Sequence, residues 1–323
     1  MFQQNTYRGL PFLLAIVAAS LTAVAPARAL PQLCVIRGNA CIKGCANGVE
    51  QFGQWLGRPM SRVTSFANGG SWQRIIYEAT RKARWLHRDG PGYPLNLGVT
   101  LLPGDDSSAT LAAGAAGAYD QYFRQIAEAL VAEGQSNADL RLGWEFNGNW
   151  YRWKASADPQ AFVAYWRRIV DVMRSVPGEH FTFDWNPSLL GGAVNLESVY
   201  PGDAYVDYIG VDIFNDGSTS LAARQRWTNY LDKPQGLNWL SGFASRHGKP
   251  LTVPAWGTGE MSRGNGSLDD AYFVTHLTQW LEKHDVVFAC YFDSLGATIS
   301  NGSQPRAAQA LIDAWGRRRD KGP

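Results

Sequence analysis

A glutamate stands where a buried strand is predicted to end, and aromatic residues follow it closely. Residues 140–153 read LRLGWEFNGNWYRW, which places Asn147 two positions after Glu145. A carboxylic acid there could protonate a glycosidic oxygen, and flat aromatic faces could stack on sugar rings. In a purely structural interpretation, Glu145 pairs with Arg141 beside core tryptophans. The functional interpretation is favoured because core positions of a barrel alternate within its strands, not beyond their ends.

A retaining glycosidase needs a second carboxylate about 5 Å from the first, and the sequence lacks it at the expected place. Residues 249–260 read KPLTVPAWGTGE, so Ala255 follows the predicted strand end. Glu260 is the next carboxylate, five residues downstream. The nucleophile position is therefore predicted to be Ala255, where a glutamate is expected.

The elements that must position these residues alternate between short apolar runs and amphipathic helices. Four of the helices are predicted over Tyr119–Glu133, Pro159–Val176, Asp269–His284 and Pro305–Arg317. Eight apolar runs are predicted as strands: Cys34–Arg37, Arg62–Phe66, Leu95–Leu101, Leu140–Trp144, His180–Asp184, Tyr205–Asp212, Pro250–Val253 and Val286–Phe292. Eight such units predict one α/β domain, a (β/α)8 TIM barrel over residues 30–323, with its chemistry at the carboxyl ends of the strands. A doubly wound sheet is disfavoured because residues 38–41, GNAC, form no glycine-rich phosphate loop.

Further side chains at predicted strand ends are candidates for binding a sugar. Trp185 follows the fifth run and is either a sugar platform or a core residue. Around the two central positions, the predicted substrate-binding residues are Trp144, Asn147, Trp150, Trp153, Trp185, Phe214, Trp256 and Asp293.

The two strand-end motifs resemble those of glycoside hydrolase family 26, the β-mannanase-like barrels of a retaining superfamily. The segment from Arg141 to Trp153 is similar to the family's acid/base motif, and residues 248–257 are similar to its nucleophile strand. Weaker similarity covers residues 101–103, 210–212 and 270–274. The resemblance implies that Glu145 is the acid/base, and that Phe214 occupies the place of an aromatic residue near the nucleophile. Trp144 stands where mannanases of the family carry histidine, which argues against mannan specificity.

Ala255 has three interpretations. It is an engineered replacement of a nucleophilic glutamate, or its role has passed to Glu260 through a loop that folds back, or the protein binds glycan without cutting it. The first is favoured because the rest of the motif is intact. Under the first interpretation, Ala255→Glu restores hydrolysis.

The first 29 residues predict a secretory signal. They contain Arg8, an apolar run from Leu10 to Val24 and a small-x-small cleavage site at residues 27–29. The run is shorter than the roughly 20 residues that a membrane span needs. We therefore expect a secreted or periplasmic protein with no membrane span after cleavage.

Composition agrees with a neutral partner in an oxidising compartment. Residues 30–323 hold 28 basic and 28 acidic side chains, which disfavours nucleic acid as a partner. Four cysteines, Cys34, Cys41, Cys45 and Cys290, are expected to form disulfides, one within the N-terminal trio and one joining Cys290 to that region. The five scattered histidines form no metal-ligand spacing, and no cofactor is expected.

These observations predict an exported retaining glycoside hydrolase that acts on a β-linked polysaccharide or oligosaccharide and is impaired as written. The alternative is a non-catalytic glycan-binding barrel associated with exopolysaccharide. The two differ only in turnover.

Overall fold

In a computed structural model, the chain forms a closed barrel of parallel strands surrounded by helices. The structure describes Met1 and residues 30–37, 45–88, 92–215, 221–259 and 269–316. The strands are β1 (Gln32–Ile36), β2 (Arg62–Ala67), β3 (Leu95–Val99), β4 (Asp139–Leu142), β5 (Thr182–Trp185), β6 (Tyr208–Gly210), β7 (Ile213–Asn215), β8 (Leu251–Thr258) and β9 (Val286–Phe292). The predicted (β/α)8 barrel is confirmed.

The barrel has eight staves because β6 and β7 are two parts of the sixth. Each stave pairs with the next in parallel, and β1 closes the barrel against β9. β8 pairs first with β6, where Gly210 lies opposite Thr252, and then with β7, where Ile213 lies opposite Trp256. The register therefore shifts by one residue between the two parts, and the sixth stave is interrupted at Asp212.

The helices cover the outside of the barrel. They are α1 (Cys45–Leu56), α2 (Trp72–Arg88), α3 (Leu111–Ala115), α4 (Asp120–Ala132), α5 (Pro159–Arg174), α6 (Ala223–Asp232), α7 (Leu237–Arg246), α8 (Ala271–Lys283) and α9 (Pro305–Trp315). Local chemistry sets several starts: α5 begins at a proline, and the Asp158 side chain accepts a hydrogen bond from the Ala161 N–H (2.9 Å). The repeat departs from prediction after β5, where residues 186–207 hold only a 3-10 turn (Leu196–Val199).

Along each strand, successive side chains face the barrel interior and the surrounding helices in turn. The side chains in the interior are polar. Arg62 pairs with Asp139, and the Thr252 hydroxyl donates to the Asp184 carboxylate (2.6 Å). The layer between strands and helices is aromatic, and its completely buried members include Trp166, Trp185, Trp256, Phe162 and Phe243. Neighbouring residues of one strand therefore have opposite environments.

A disulfide joins the first strand to the last. Cys34 of β1 lies opposite Cys290 of β9 in the sheet register, and their sulfurs are bonded. The expected link from Cys290 to the N-terminal region is confirmed. Cys41 lies outside the described residues, as does the side chain of Cys45, so the bridge expected within the trio stays a prediction.

The predicted signal segment, residues 1–29, lies outside the described residues apart from Met1. Among the helices of the described ranges, none is both long and apolar enough to cross a bilayer.

Candidate active site

A cavity of about 710 Å³ opens at the carboxyl ends of the strands. Its wall comes from residues within or just after β2, β4, β5, β7, β8 and β9 and from Asp212 between β6 and β7, at the end of the barrel where such a fold places its chemistry. The lining residues are Phe66, Asn68, Trp144, Glu145, Trp150, Tyr151, Ser188, Leu190, Asp212, Phe214, Ala255, Phe292 and Leu295. Five of the ten predicted site residues are brought together here: Trp144, Glu145, Trp150, Phe214 and Ala255.

The backbone after β4 holds Glu145 in the cavity wall. Gly143 has a φ of +59° and Glu145 a φ of +54°. A side chain in this left-handed region costs of order 1–3 kcal/mol, which the surrounding structure must offset, and such residues cluster at functional sites. Here the Glu145 N–H donates to the Asn186 carbonyl (2.7 Å), which fixes this turn to the segment after β5.

The surroundings of Glu145 favour its protonated form. Burial is the main cause that raises the pKa of Glu145, and the negative charge of Asp212 raises it further. Three groups lower the pKa of Glu145: Trp150, whose Nε1 donates to Oε2 (2.8 Å), the positive charge of Arg141, and a side-chain hydrogen bond with Ser188. The net direction is upward, so this carboxyl group is suited to donate a proton near neutral pH.

Ala255 contributes only a methyl group to the wall where a nucleophile is expected. It lies within β8, is 2% exposed, and donates its backbone N–H to the Asp212 carboxylate. The predicted strand ends at Val253, whereas β8 continues to Thr258. Glu260, the suggested substitute, lies outside the described residues.

Aromatic rings form two sides of the cavity. On one side Phe66 packs on Trp144, with ring centroids 4.9 Å apart, and the Trp144 Nε1 donates to the Tyr151 hydroxyl (3.0 Å). Gly98 permits this packing, because a Cβ there would lie 2.7 Å from Phe66 and 3.0 Å from Trp144. At the rim, Trp150 is 51% exposed. Flat, partly exposed aromatic rings of this kind can stack on the face of an uncharged pyranose ring.

On the opposite side, Phe214 meets Phe292 edge to face, with centroids 5.5 Å apart. Leu190 and Leu295 add exposed apolar surface at the rim. The charged side chains of the wall are the carboxyl groups of Glu145 and Asp212. The site is therefore mainly apolar, with its acids concentrated at one place.

Two tryptophans predicted to contact substrate are instead core residues. Trp185 and Trp256 are both 0% exposed. Trp185 is the last residue of β5 and faces the helices, where it packs on Tyr200 and Phe243. Trp256 follows the inward-facing Ala255 within β8, so alternation turns its ring outward. The prediction that these rings bind sugar is wrong for this structure.

Three other predicted binding residues hold the loops that shape the cavity. Asn147 donates to the Ser188 carbonyl (2.9 Å) and accepts from the Ser188 N–H (2.8 Å). Trp153 donates to the Trp144 carbonyl (2.9 Å). Asp293 accepts from Arg37 Nε (2.8 Å) and from the backbone N–H of Ile299 (2.8 Å). All three are at most 5% exposed and do not line the cavity, so direct substrate contact is corrected to loop positioning.

The structure adds Asp212, Tyr151, Phe66, Ser188 and Phe292 to the wall. Among these residues, Asp212 had the strongest sequence signal for a place in the site. It is a carboxylate that ends the sixth predicted strand, just as Glu145 directly follows the fourth. Phe66 and Phe292 end the second and eighth runs. Ser188 had no distinguishing signal.

Metal ligands are not grouped in the described ranges: no set of three or more His, Cys, Asp or Glu residues there could hold an ion. The chemistry that the site can perform is that of its two carboxyl groups.

Comparison with known proteins points to one family. Residues 106–237 match glycosyl hydrolase family 26. A mannan endo-1,4-beta-mannosidase of Bifidobacterium adolescentis is 29% identical over 247 residues, which are 67% of this chain and 23% of that protein. Endoglucanase H of Acetivibrio thermocellus is 27% identical over 194 residues, 57% of this chain and 20% of that protein. The chain thus spans at most about a quarter of the length of these curated relatives.

Solved structures share the fold over most of the chain. The YdhT protein of Bacillus subtilis has a TM-score of 0.63 at 16% identity, covering 89% of this chain and 86% of that one. The β-mannanase BoMan26A of Bacteroides ovatus has a TM-score of 0.55 at 14% identity, covering 88% and 85%. At these identities the likeness concerns the fold alone.

Proposed function

The chain belongs to the glycoside hydrolase family 26-like barrels, and from this premise we propose that it is an exported β-glycan hydrolase whose retaining reaction is blocked at Ala255. The observation that carries the proposal is the cavity at the strand ends, whose wall contains both Glu145 and Ala255. The names of the curated relatives suggest β-1,4-linked mannan and a glucan as the first substrates to test.

In this proposal Glu145 is the acid/base. Its pKa is raised by burial and by Asp212, so it holds a proton to give to the leaving glycosidic oxygen. In the second step of a retaining reaction, the ionised Glu145 would accept a proton from the attacking water. Trp150, which donates to Oε2, keeps the carboxyl group in one orientation for both steps.

The first step of a retaining reaction needs a nucleophile at position 255. A carboxylate there would attack the anomeric carbon and form a glycosyl-enzyme, whereas the alanine methyl group cannot form this bond. Ala255 lies in the middle of a fully buried strand between β7 and β9, so its position is rigid. We therefore assign the block of the retaining step to the side chain and not to the backbone.

The test is to restore the carboxylate. Ala255→Glu is expected to raise the hydrolysis of β-1,4-mannan or β-1,4-glucan by roughly 10³-fold or more, with retention of the anomeric configuration. Ala255→Gln is the matched control, since it has the same size and no nucleophilic oxygen anion. Equal activity in the two variants would contradict the assigned role.

The second candidate is a barrel that binds glycan without cutting it and is associated with exopolysaccharide. Ala255 favours it, because the aromatic walls of the cavity do not depend on a nucleophile. Binding of the unaltered chain to glycan, with no product from either the unaltered chain or Ala255→Glu, would select this candidate.

A further inference from the structure

Asp212 is a carboxylate in the cavity wall that has no covalent role in a retaining reaction. It lies where the sixth stave is interrupted, between β6 and β7, and is 2% exposed. Its side chain nevertheless contributes to the cavity wall, as do Glu145 and Ala255. Two carboxyl groups therefore share the cavity even though position 255 has none.

The strand register places Asp212 beside Ala255. Ile213 lies opposite Trp256, so the residues that precede them, Asp212 and Ala255, are neighbours across the two staves. The Ala255 N–H donates to the Asp212 carboxylate, which fixes its direction relative to the methyl group. Any small molecule that fills the space left by the missing glutamate side chain would lie beside this carboxylate.

Burial raises the pKa of Asp212 to about 6, less than the value of about 8 for Glu145, because polar contacts favour the ionised form of Asp212. Asn186 Nδ2 donates to Oδ1 (3.2 Å), and Arg141 Nη1 lies 3.6 Å from Oδ2. Arg141 is completely buried, so its charge acts through a poorly screened medium. The negative charge of Asp212 in turn raises the pKa of Glu145. The proton of the pair is therefore placed on Glu145, which leaves one acid and one base.

We propose that the unaltered chain hydrolyses its glycan by a single displacement, in which Asp212 is the general base for a water molecule beside the Ala255 methyl group. This inference rests on the proposed function, because it uses the same cavity and the same acid. Inverting glycosidases use an acid on one side of the sugar and a base that acts on the sugar through one water molecule.

The proposed step is balanced in atoms and charge. The water oxygen bonds to the anomeric carbon while the bond from that carbon to the leaving oxygen breaks. Glu145 gives its proton to the leaving oxygen, and Asp212 takes a proton from the water. The product has the inverted configuration, and exchange with solvent returns the proton to Glu145.

The competing explanation is that Asp212 only balances the buried charge of Arg141. Both explanations predict damage from Asp212→Asn, so loss of activity alone does not separate them. Azide separates them, because it is an anion that attacks without giving up a proton. It needs the space beside Ala255 and the acid Glu145, but no base.

The first measurement is the anomeric configuration of the product. It is read by NMR immediately after the unaltered chain cleaves a β-1,4-linked manno- or cello-oligosaccharide. Inversion is expected. Asp212→Asn is expected to lower the rate about 10²-fold or more. Sodium azide is expected to restore turnover in Asp212→Asn and to yield a glycosyl azide of inverted configuration.

The remaining outcomes overturn the inference in distinguishable ways. Retention in the unaltered chain would mean that another group is the nucleophile. Turnover by Ala255→Glu without turnover by the unaltered chain would refute the inference and leave the proposed function intact. Absence of turnover in both would refute both. Failure of azide to rescue a folded Asp212→Asn protein, as judged by its unfolding midpoint, would assign Asp212 to charge balance alone.

Discussion

Replacing Trp150 by phenylalanine tests whether its indole N–H controls the acidity of Glu145. The Nε1 to Oε2 distance is 2.8 Å, and this hydrogen bond favours the ionised carboxylate. Phenylalanine keeps a flat ring at the rim and removes the donor. The pKa of Glu145 is therefore expected to rise further in Trp150→Phe.

The size of the change follows from the exposure of the indole. A hydrogen bond to a charged group contributes about 1.5–3 kcal/mol when it is well buried. Trp150 is 51% exposed, so water can replace part of the lost donor. A remaining effect of about 1 kcal/mol corresponds to a rise of roughly 0.7 in the pKa of Glu145.

The assay is an NMR titration of the ¹³C-labelled carboxyl group of Glu145, with the signal assigned by its loss in Glu145→Gln. Trp153→Phe is the matched control, because its Nε1 donates to the Trp144 carbonyl (2.9 Å) and not to a carboxylate. An unchanged or lower pKa of Glu145 in Trp150→Phe would refute the reasoning. An equal rise in the control would assign the effect to loop packing.

Three further predictions concern the barrel. Replacing Cys34 and Cys290 by alanine is expected to lower the free energy of unfolding by about 2–5 kcal/mol in urea titrations, with an unchanged midpoint counting against a stabilising bridge. Arg141→Ala is expected to cost about 3–5 kcal/mol in the same titrations, because it leaves Asp212 buried without its cation; a loss under 1 kcal/mol would contradict this. Burial raises the pKa of Asp184 to about 7, so the folded protein holds this proton more tightly than the unfolded chain, and stability should fall as pH rises from about 4 to 7. Asp184→Asn should flatten that part of the pH profile, and an unaltered slope would refute the assignment.

The sequence predicts the barrel well because each of its eight apolar runs corresponds to a stave. It also predicts the place of Glu145, since a carboxylate beyond a strand end has no reason to pack in the core. What local pattern does not show is where pairing with neighbours stops. β8 continues five residues beyond Val253 because β7 and β9 supply partners for its backbone.

That error in strand length explains the misassigned tryptophans. Inside a strand, a shift of one residue exchanges the two faces. Ala255 faces the cavity, so Trp256 faces the helices; Asp184 faces the interior, so Trp185 does not. Phe214 reaches the wall because it follows Gly210 and Asp212 at two-residue spacing on the inward face of the sixth stave. The alternation changes in β8 instead, where Thr252 and Ala255 both face inward although they are three residues apart, an irregularity that no local pattern encodes.

The bond between Cys34 and Cys290 has a consequence for the order of assembly. The two strands that it joins are separated by 256 residues, so β1 emerges from the ribosome on the order of tens of seconds before its partner β9 is made. The seam between them is therefore the last part of the barrel that can form. A nascent chain that stops before β9 presents two open sheet edges at once, and such edges are templates for aggregation.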